Sequence, residues 1–229
     1  MISKKIYAIF WLVITNAKRI TYMSFFQNTC KPTGIGGKIM VNMMNAGHSS
    51  MAEWGFSHIK INSNDICLDI GCGGGANVKR LLERSEKGNV TGIDYSDISV
   101  EKSQKLNKKE IENNRCQILQ GNVMELPFKD ETFNAITAFE TIYFWPDITQ
   151  AFKQVYRILK NNGIFMICNE LDGENSKDEK WTKIVQDMKI YNSEQIKMSL
   201  QAAGFTDIKM DKNEKGWLCV VCRKNNLLL

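Results

Sequence analysis

Two acidic residues and three closely spaced glycines are the residues of this chain with the clearest chemical use. Asp69 precedes Gly71, Gly73 and Gly75, and Asp94 follows them. Glycines lack a Cβ, so the backbone can turn tightly and approach a ligand, and a helix that begins after them presents its N-terminal N–H groups. A carboxylate about 20 residues further on can accept both hydroxyls of a ribose. The group predicts a site for an adenosine-containing cofactor.

Two classes of cofactor fit these glycines. The spacing Gly71-x-Gly73-x-x-Ala76 satisfies the dinucleotide fingerprint of NAD-dependent oxidoreductases. Asp69, two residues before the first glycine, instead favours S-adenosylmethionine, because an acid there can hold the methionine ammonium directly or through water. The same acid would repel a pyrophosphate. We therefore predict S-adenosylmethionine, with an NAD-dependent oxidoreductase as the remote alternative.

The segments that follow carry a family resemblance. They are GNVMELPF at 121–128 and FNAITAFETIYF at 133–144. With the glycine motif, they make the chain similar to the class I S-adenosylmethionine-dependent methyltransferases, specifically their small-molecule "type 11" branch, over roughly residues 34–223. The resemblance implies direct in-line transfer of a methyl group to a small-molecule acceptor, with S-adenosylhomocysteine as the product. The acceptor atom stays open.

The resemblance also implies the cofactor-binding residues. Asp69 and the three glycines would bind the methionine half, and Asp94 the ribose. Tyr95 would lie against the adenine, with a core position as the alternative. Asn122 and Val123 occupy a Gly-Asp-Ala/Val motif in which the aspartate normally accepts from the adenine amino group. Asn122 keeps a carbonyl oxygen that can accept the same hydrogen bond without the charge, so we expect weaker binding rather than its loss.

Three residues are candidates for acceptor chemistry. His48, whose imidazole has a near-neutral pKa, could deprotonate the acceptor; a capping or cofactor-gating role is the alternative. Glu140 follows the fourth predicted strand, at the carboxyl edge where open α/β sheets bind ligands, and could contact both the methionine part and the acceptor; a partner to a helix N-terminus is the alternative. Tyr143, with Phe144 and Trp145, predicts an aromatic wall beside the cleft, with a core position as the alternative.

Alternating strands and helices must position these residues. The predicted strands are 66–70, 89–94, 116–120, 133–139, 164–169, 205–211 and 217–223. The predicted helices are 76–84, 97–112, 146–159, 181–188 and 193–203, with a loop at 170–180. This predicts an α/β, Rossmann-like fold. The resemblance adds the order of a seven-stranded, mostly parallel sheet, 3-2-1-4-5-7-6, with strand 7 antiparallel.

We divide the chain into an extension and one domain. Residues 1–22, a basic start and a short apolar run, are interpreted as an N-terminal extension outside the fold, with a signal peptide as the alternative. Residues 23–229 form a single methyltransferase domain. Within it, 34–60 is predicted as a helical cap and 64–229 as the cofactor-binding core.

Composition and charge exclude several classes of function. Four of the 30 basic residues lie in residues 1–22, which contain no acid, so the rest carries 26 bases against 25 acids. This balance predicts no nucleic-acid partner. The apolar run is too short for stable insertion into a membrane. Seven cysteines, several within strand-like runs, indicate free thiols in the cytoplasm.

The pair Cys219-x-x-Cys222 suggests a metal site only superficially. Positions three apart on a strand face opposite sides of a sheet, and the chain has only two histidines. We therefore predict no metal site, and we interpret the second histidine, His58, as structural. Asn134 replaces a common aspartate of the family. With Asn122, it motivates one more alternative, a non-catalytic binding module with the same fold.

Overall fold

The protein is described here by a computed structural model that covers Gly34, residues 48–174 and residues 178–225. The extension at 1–22 and most of the first part of the predicted cap lie outside the described residues. Within the described ranges, the helices lack the length and apolar character needed to cross a membrane.

Seven strands form one sheet. They are β1 (Cys67–Ile70), β2 (Val90–Asp94), β3 (Cys116–Gln120), β4 (Phe133–Phe139), β5 (Leu159–Asn169), β6 (Thr206–Lys212) and β7 (Leu218–Arg223). Their order is β3-β2-β1-β4-β5-β7-β6. The first five strands pair in parallel, and β7 pairs antiparallel with both of its neighbours. The predicted α/β class, order and strand directions are confirmed.

Helices connect the strands. They are α1 (Ser49–Phe56), α2 (Ala76–Arg84), α3 (Asp97–Leu106), α4 (Lys108–Glu112), α5 (Ile148–Ile158), α6 (Glu179–Ile184) and α7 (Ser193–Ala202). The single helix predicted over 97–112 is in fact two. Buried Asn107 interrupts it, and its side-chain amide donates to Ser103 O at 3.0 Å and to Gly75 O at 3.2 Å. The break therefore attaches the end of α3 to the glycine loop.

Strand β5 begins five residues before the predicted start at Ile164. Leu159 already pairs with Phe133, and the ladder then shifts register before it resumes at Ile164. Asn162, in the shifted stretch, has a φ of +62°. The stretch between Leu159 and Ile164 is therefore an irregularity within a longer strand rather than a boundary of the strand.

Apolar side chains cover both faces of the sheet, as parallel strands with helical crossovers require. One buried cluster includes Ile136, Phe165 and Cys222, and the other includes Met166 and Cys219. The two cysteines of the Cys-x-x-Cys pair thus lie in different clusters, as predicted from strand alternation. All six cysteines of the described ranges are free and buried.

Helix α1 is the described part of the predicted cap. It packs on β5, with Met51 fully buried and the Phe56 ring 5.0 Å from that of Phe139. His48 stands at its N-terminal boundary. The apolar face of α1 therefore anchors the position of His48.

Candidate functional site

A cavity of about 650 Å³ opens at the carboxyl ends of β1, β2 and β4. Most of the sequence-predicted residues line it: His48, Gly71, Gly73, Asp94, Tyr95, Asn122, Val123 and Glu140. Three others, Asp69, Gly75 and Tyr143, do not line it. The cavity is the geometric candidate for the predicted cofactor site.

Two positions of the glycine loop, Gly71 and Gly75, have no room for a side chain. Gly71 N donates to Ile93 O at 2.8 Å, and a Cβ at Gly71 would lie 2.2 Å from Thr141 Oγ1. Gly75, the N-cap of α2, has a φ of +83° and lies against Ser103. Its part in the site is therefore to turn the chain into α2.

Asp94 is fixed at the cavity wall by the backbone. Its Oδ2 accepts from Gly73 N at 2.8 Å, and its Oδ1 accepts from Ser96 N at 2.9 Å. Burial raises the pKa of this carboxyl, and these backbone hydrogen bonds oppose the increase. Each carboxylate oxygen has a second lone pair, so the group can accept from a ligand while it holds the loop.

Asp69 lies deeper than the site prediction requires. It is 1% exposed, and Thr137 Oγ1 donates to its Oδ1 at 2.6 Å. Burial raises the pKa of this carboxyl to about 7. Asp69 and Thr137 are paired across β1 and β4, so their side chains lie next to each other on a covered face of the sheet. The predicted contact with a methionine ammonium stays a prediction, and the structure does not bring this carboxylate to the cavity.

The adenine-side candidates are accessible. Tyr95 is 40% exposed. Asn122 is exposed too, and its Oδ1 accepts from Met124 N at 3.0 Å. The side-chain oxygen of Asn122 therefore already accepts one backbone hydrogen bond within its own turn, and it has one lone pair left for a ligand.

We expect Tyr95→Ala to weaken S-adenosylmethionine binding about 3- to 10-fold, because an aromatic stacking contact contributes roughly 0.5–1.5 kcal/mol. The exposed ring contributes little to the core, so the free energy of unfolding should change by less than about 0.5 kcal/mol. Calorimetric titration beside a urea denaturation curve measures both quantities. Unchanged affinity would place the adenine away from Tyr95.

Glu140 lies at the end of β4 in the left-handed region, with a φ of +54°. Its Oε1 accepts from the backbone N–H of Glu170 and, at 3.2 Å, from the hydroxyl of Tyr143. Tyr143 is 2% exposed, and its hydroxyl accepts from Leu171 N at 2.9 Å. Tyr143 therefore lies buried behind Glu140 and holds its carboxyl group by a hydrogen bond. The prediction that Tyr143 forms part of an aromatic wall of the cavity is wrong. Phe144 and Trp145 do line the cavity.

His48 lines the cavity and lies near the carboxylate of Glu170. Its Nε2 lies 3.9 Å from Glu170 Oε2. Burial lowers the pKa of His48, and the charge of Glu170 opposes that decrease. A neutral imidazole at pH 7 follows, which is the form that accepts a proton.

Two parts of the site were missed by sequence reasoning. Glu170 directly follows β5, and the stretch Asp187–Lys189 lines the cavity opposite the glycine loop. Lys189 N donates to Tyr143 O at 2.8 Å, and Lys189 Nζ donates to Pro146 O at 2.9 Å. For Glu170, the end of a parallel strand was a usable signal. Nothing in the pattern around Asp187–Lys189 indicates a place beside the cavity.

Other sequence interpretations concern structural positions. His58 Nε2 lies 2.9 Å from Asp211 Oδ2, and its Nδ1 lies 2.8 Å from Trp54 O, away from the cavity. Asn134 Oδ1 accepts from Ile66 N and from Lys160 Nζ, both at 3.0 Å. These contacts fit the structural role predicted for His58, and they give Asn134 a place between β1 and β5 away from the cavity.

The buried carboxyl of Glu140 should make stability depend on pH. Burial raises its pKa to about 8 from a usual value of 4.5, so the folded state holds the proton more tightly than the unfolded state. The free energy of unfolding should therefore fall as pH rises from about 4.5 to 8, by at most about 1.4 kcal/mol per pH unit for this group. Glu140→Gln, which retains the accepting oxygen, should flatten this slope. Urea denaturation at pH 5.5, 7 and 8.5 measures it, and an unchanged slope in the variant would contradict the assignment.

Comparisons with known proteins agree with this geometry. A family model described as "Methyltransferase domain" (type 11) matches residues 68–167. The methyltransferase YrhH of Bacillus subtilis is 32% identical over 120 residues, which are 52% of this chain and 66% of YrhH. Sterol methyltransferases of fungi and plants also match, over 26–43% of their own lengths. The chain thus spans at most about two thirds of these curated relatives.

Solved structures share the fold. The methyltransferase bound to the Haloferax volcanii Trm112 activator superposes with a TM-score of 0.74 at 18% identity, over 82% of this chain and 94% of that one. Geranyl diphosphate C-methyltransferase from Streptomyces coelicolor, solved with S-adenosyl-L-homocysteine, superposes with a TM-score of 0.67 at 14% identity, over 77% and 76%. At these identities, the likeness concerns the fold alone.

Proposed function

Because this chain belongs to the class I S-adenosylmethionine-dependent methyltransferases, in the type 11 branch, we propose that it methylates a small molecule. The observation that carries the proposal is the joint placement of the glycine loop, Asp94 and His48 around one cavity. The sterol and geranyl diphosphate methyltransferases among the matches act on small molecules by their names, which supports the acceptor class.

The residues of the cavity fit the cofactor. Gly73 lines the cavity with open space where a Cβ would stand, and its N–H donates to the Asp94 carboxylate beside it. Asp94 would hold the ribose hydroxyls, Tyr95 the adenine and the loop amides the methionine half. When bound, S-adenosylmethionine supplies a methyl group on a sulfonium centre, whose departure leaves a neutral thioether.

The acceptor would occupy the other end of the cavity. Phe144 and Trp145 give it an apolar wall, and the cavity orients the acceptor for an in-line displacement. The acceptor atom forms the new bond to carbon as the carbon–sulfur bond breaks. His48, held neutral by burial, would take the acceptor proton on its imidazole.

We expect His48→Ala to lower kcat about 100-fold or more, with an unchanged Kd for S-adenosylmethionine, because loss of a general base removes about that much rate. His58→Ala is the matched control, since His58 lies away from the cavity. Formation of S-adenosylhomocysteine with panels of phenols, amines and thiols measures the reaction.

Each other outcome has a distinct meaning. Full activity in His48→Ala would show that His48 is not the general base. Cofactor binding without turnover on any panel would favour the non-catalytic module. Binding of NAD in place of S-adenosylmethionine would overturn the proposal.

A further inference from the structure

Three side chains with metal-ligand atoms meet beside the cavity, and two of them, His48 and Glu140, line it. The third is Glu170, and one ligand atom from each lies within 4.8 Å of the others. They come from three separate segments: the start of α1, the end of β4 and the end of β5. Because β4 and β5 are neighbours in parallel, their carboxyl ends bring the two glutamates to the same edge of the sheet.

The carboxylates lack a permanent cationic partner. Among the described residues, neither Glu140 nor Glu170 has a lysine or arginine nitrogen within 4 Å, and His48 is the base beside them. Two carboxyl groups that lie close together in a partly enclosed site do not both ionise readily, so they either share a proton or bind a cation. A positive ion can therefore take the place of that proton between them.

Outer contacts orient the ligand atoms in advance. Tyr143 OH and the backbone N–H of Glu170 both donate to Glu140 Oε1. This leaves Glu140 Oε2 to face a ligand. Such second-layer hydrogen bonds are typical of metal sites, where they fix ligand orientation.

We propose that His48, Glu140 and Glu170 bind a divalent first-row metal ion beside the cavity. An imidazole with two carboxylates is a donor set that suits Mn²⁺ and Zn²⁺. With three protein ligands on one side, the ion keeps open positions toward the cavity, where an acceptor oxygen can bind. This inference revises the sequence expectation of no metal site, which considered only the Cys-x-x-Cys pair.

The role of the ion rests on the proposed methyl transfer, but the site itself does not. An acceptor hydroxyl bound to the ion would lose its proton to solvent water more readily, and His48 would then act as a ligand rather than as the base. Loss of activity in His48→Ala fits both roles, so metal binding must be measured without turnover.

Titration of the full chain with MnCl2, followed by the electron paramagnetic resonance signal of free Mn²⁺, tests the site, with ZnCl2 calorimetry in parallel. We expect one ion per chain. Glu170→Gln and His48→Ala should each weaken binding at least about tenfold, while His58→Ala should bind as the wild type does. Circular dichroism checks that each variant is folded.

Two results would overturn the proposal. One is that the wild type shows no saturable binding of either ion. The other is that Glu170→Gln and His48→Ala each bind the ion as tightly as the wild type does. S-adenosylmethionine binding measured in EDTA keeps the two proposals apart. Cofactor binding without metal binding would sink only the metal site. Metal binding without cofactor binding would sink only the proposed function.

Discussion

Asp94→Ala should reduce the affinity for S-adenosylmethionine by about 100-fold or more. In the proposed cofactor site, the carboxylate would accept two ribose hydroxyls, and each hydrogen bond to a charged group contributes roughly 1.5–3 kcal/mol. The variant also removes the acceptor of Gly73 N and Ser96 N, so the loop loses its anchor together with the ligand contact. Calorimetric titration with S-adenosylmethionine and S-adenosylhomocysteine measures the effect.

The matched control is Asp97→Ala. Asp97 is exposed at the start of α3, three residues from Asp94, and should leave the affinity unchanged. Asp94→Asn retains one accepting oxygen, so its affinity for S-adenosylmethionine should lie between those of Asp94→Ala and Asp97→Ala. Wild-type affinity in a folded Asp94→Ala would refute the ribose assignment, and NAD binding lost in the same variant would revive the oxidoreductase alternative.

Gly75→Ala should destabilise the protein by about 2–4 kcal/mol. The residue has a φ of +83°, which costs a residue with a Cβ roughly 1–2 kcal/mol. The new Cβ would also lie 2.4 Å from Ser103 Oγ and 2.9 Å from Ser103 Cα. Since a backbone atom cannot move aside cheaply, overpacking adds roughly 1–3 kcal/mol. Urea denaturation measures the loss.

Comparing Gly73→Ala with Gly75→Ala separates the effect of steric overlap on stability from the effect on cofactor binding. Its φ is +50°, but a Cβ there meets no atom within 4 Å. It should therefore cost only about 1–2 kcal/mol of conformational strain, while the methyl group enters the cavity and weakens cofactor binding. Equal stability losses in both variants would show that contact with Ser103 does not determine the cost at Gly75.

The cofactor half of the site was predictable because it is local. The glycine loop and Asp94 lie within one strand–helix–strand unit, where the spacing in sequence determines the position in space. Asp69 shows the limit of such reasoning. A motif position predicts where the backbone lies, but the sheet directs this carboxylate to Thr137 rather than to the cavity.

The acceptor half depends on contacts between distant segments. The sequence predicted Glu140, yet its pairing with Tyr143 and Glu170 depends on how β4 and β5 lie side by side. The Asp187–Lys189 stretch reaches the cavity through a hydrogen bond between Lys189 and Tyr143. Such placements arise from tertiary packing, which no periodicity of the sequence encodes. The break at Asn107 has the same origin, because its partner Gly75 belongs to another element.

The junction around Tyr143 joins the later segments of the site. The loop, Asp94 and His48 lie before residue 100, whereas Glu140, Leu171 and Lys189 come later and each form a hydrogen bond with Tyr143. Substitutions in the later segments can therefore alter which molecule is accepted, while the earlier unit remains intact. A chain arranged in this way can diverge in substrate range by a small number of exchanges, and a protein engineer could use the same division to redirect it.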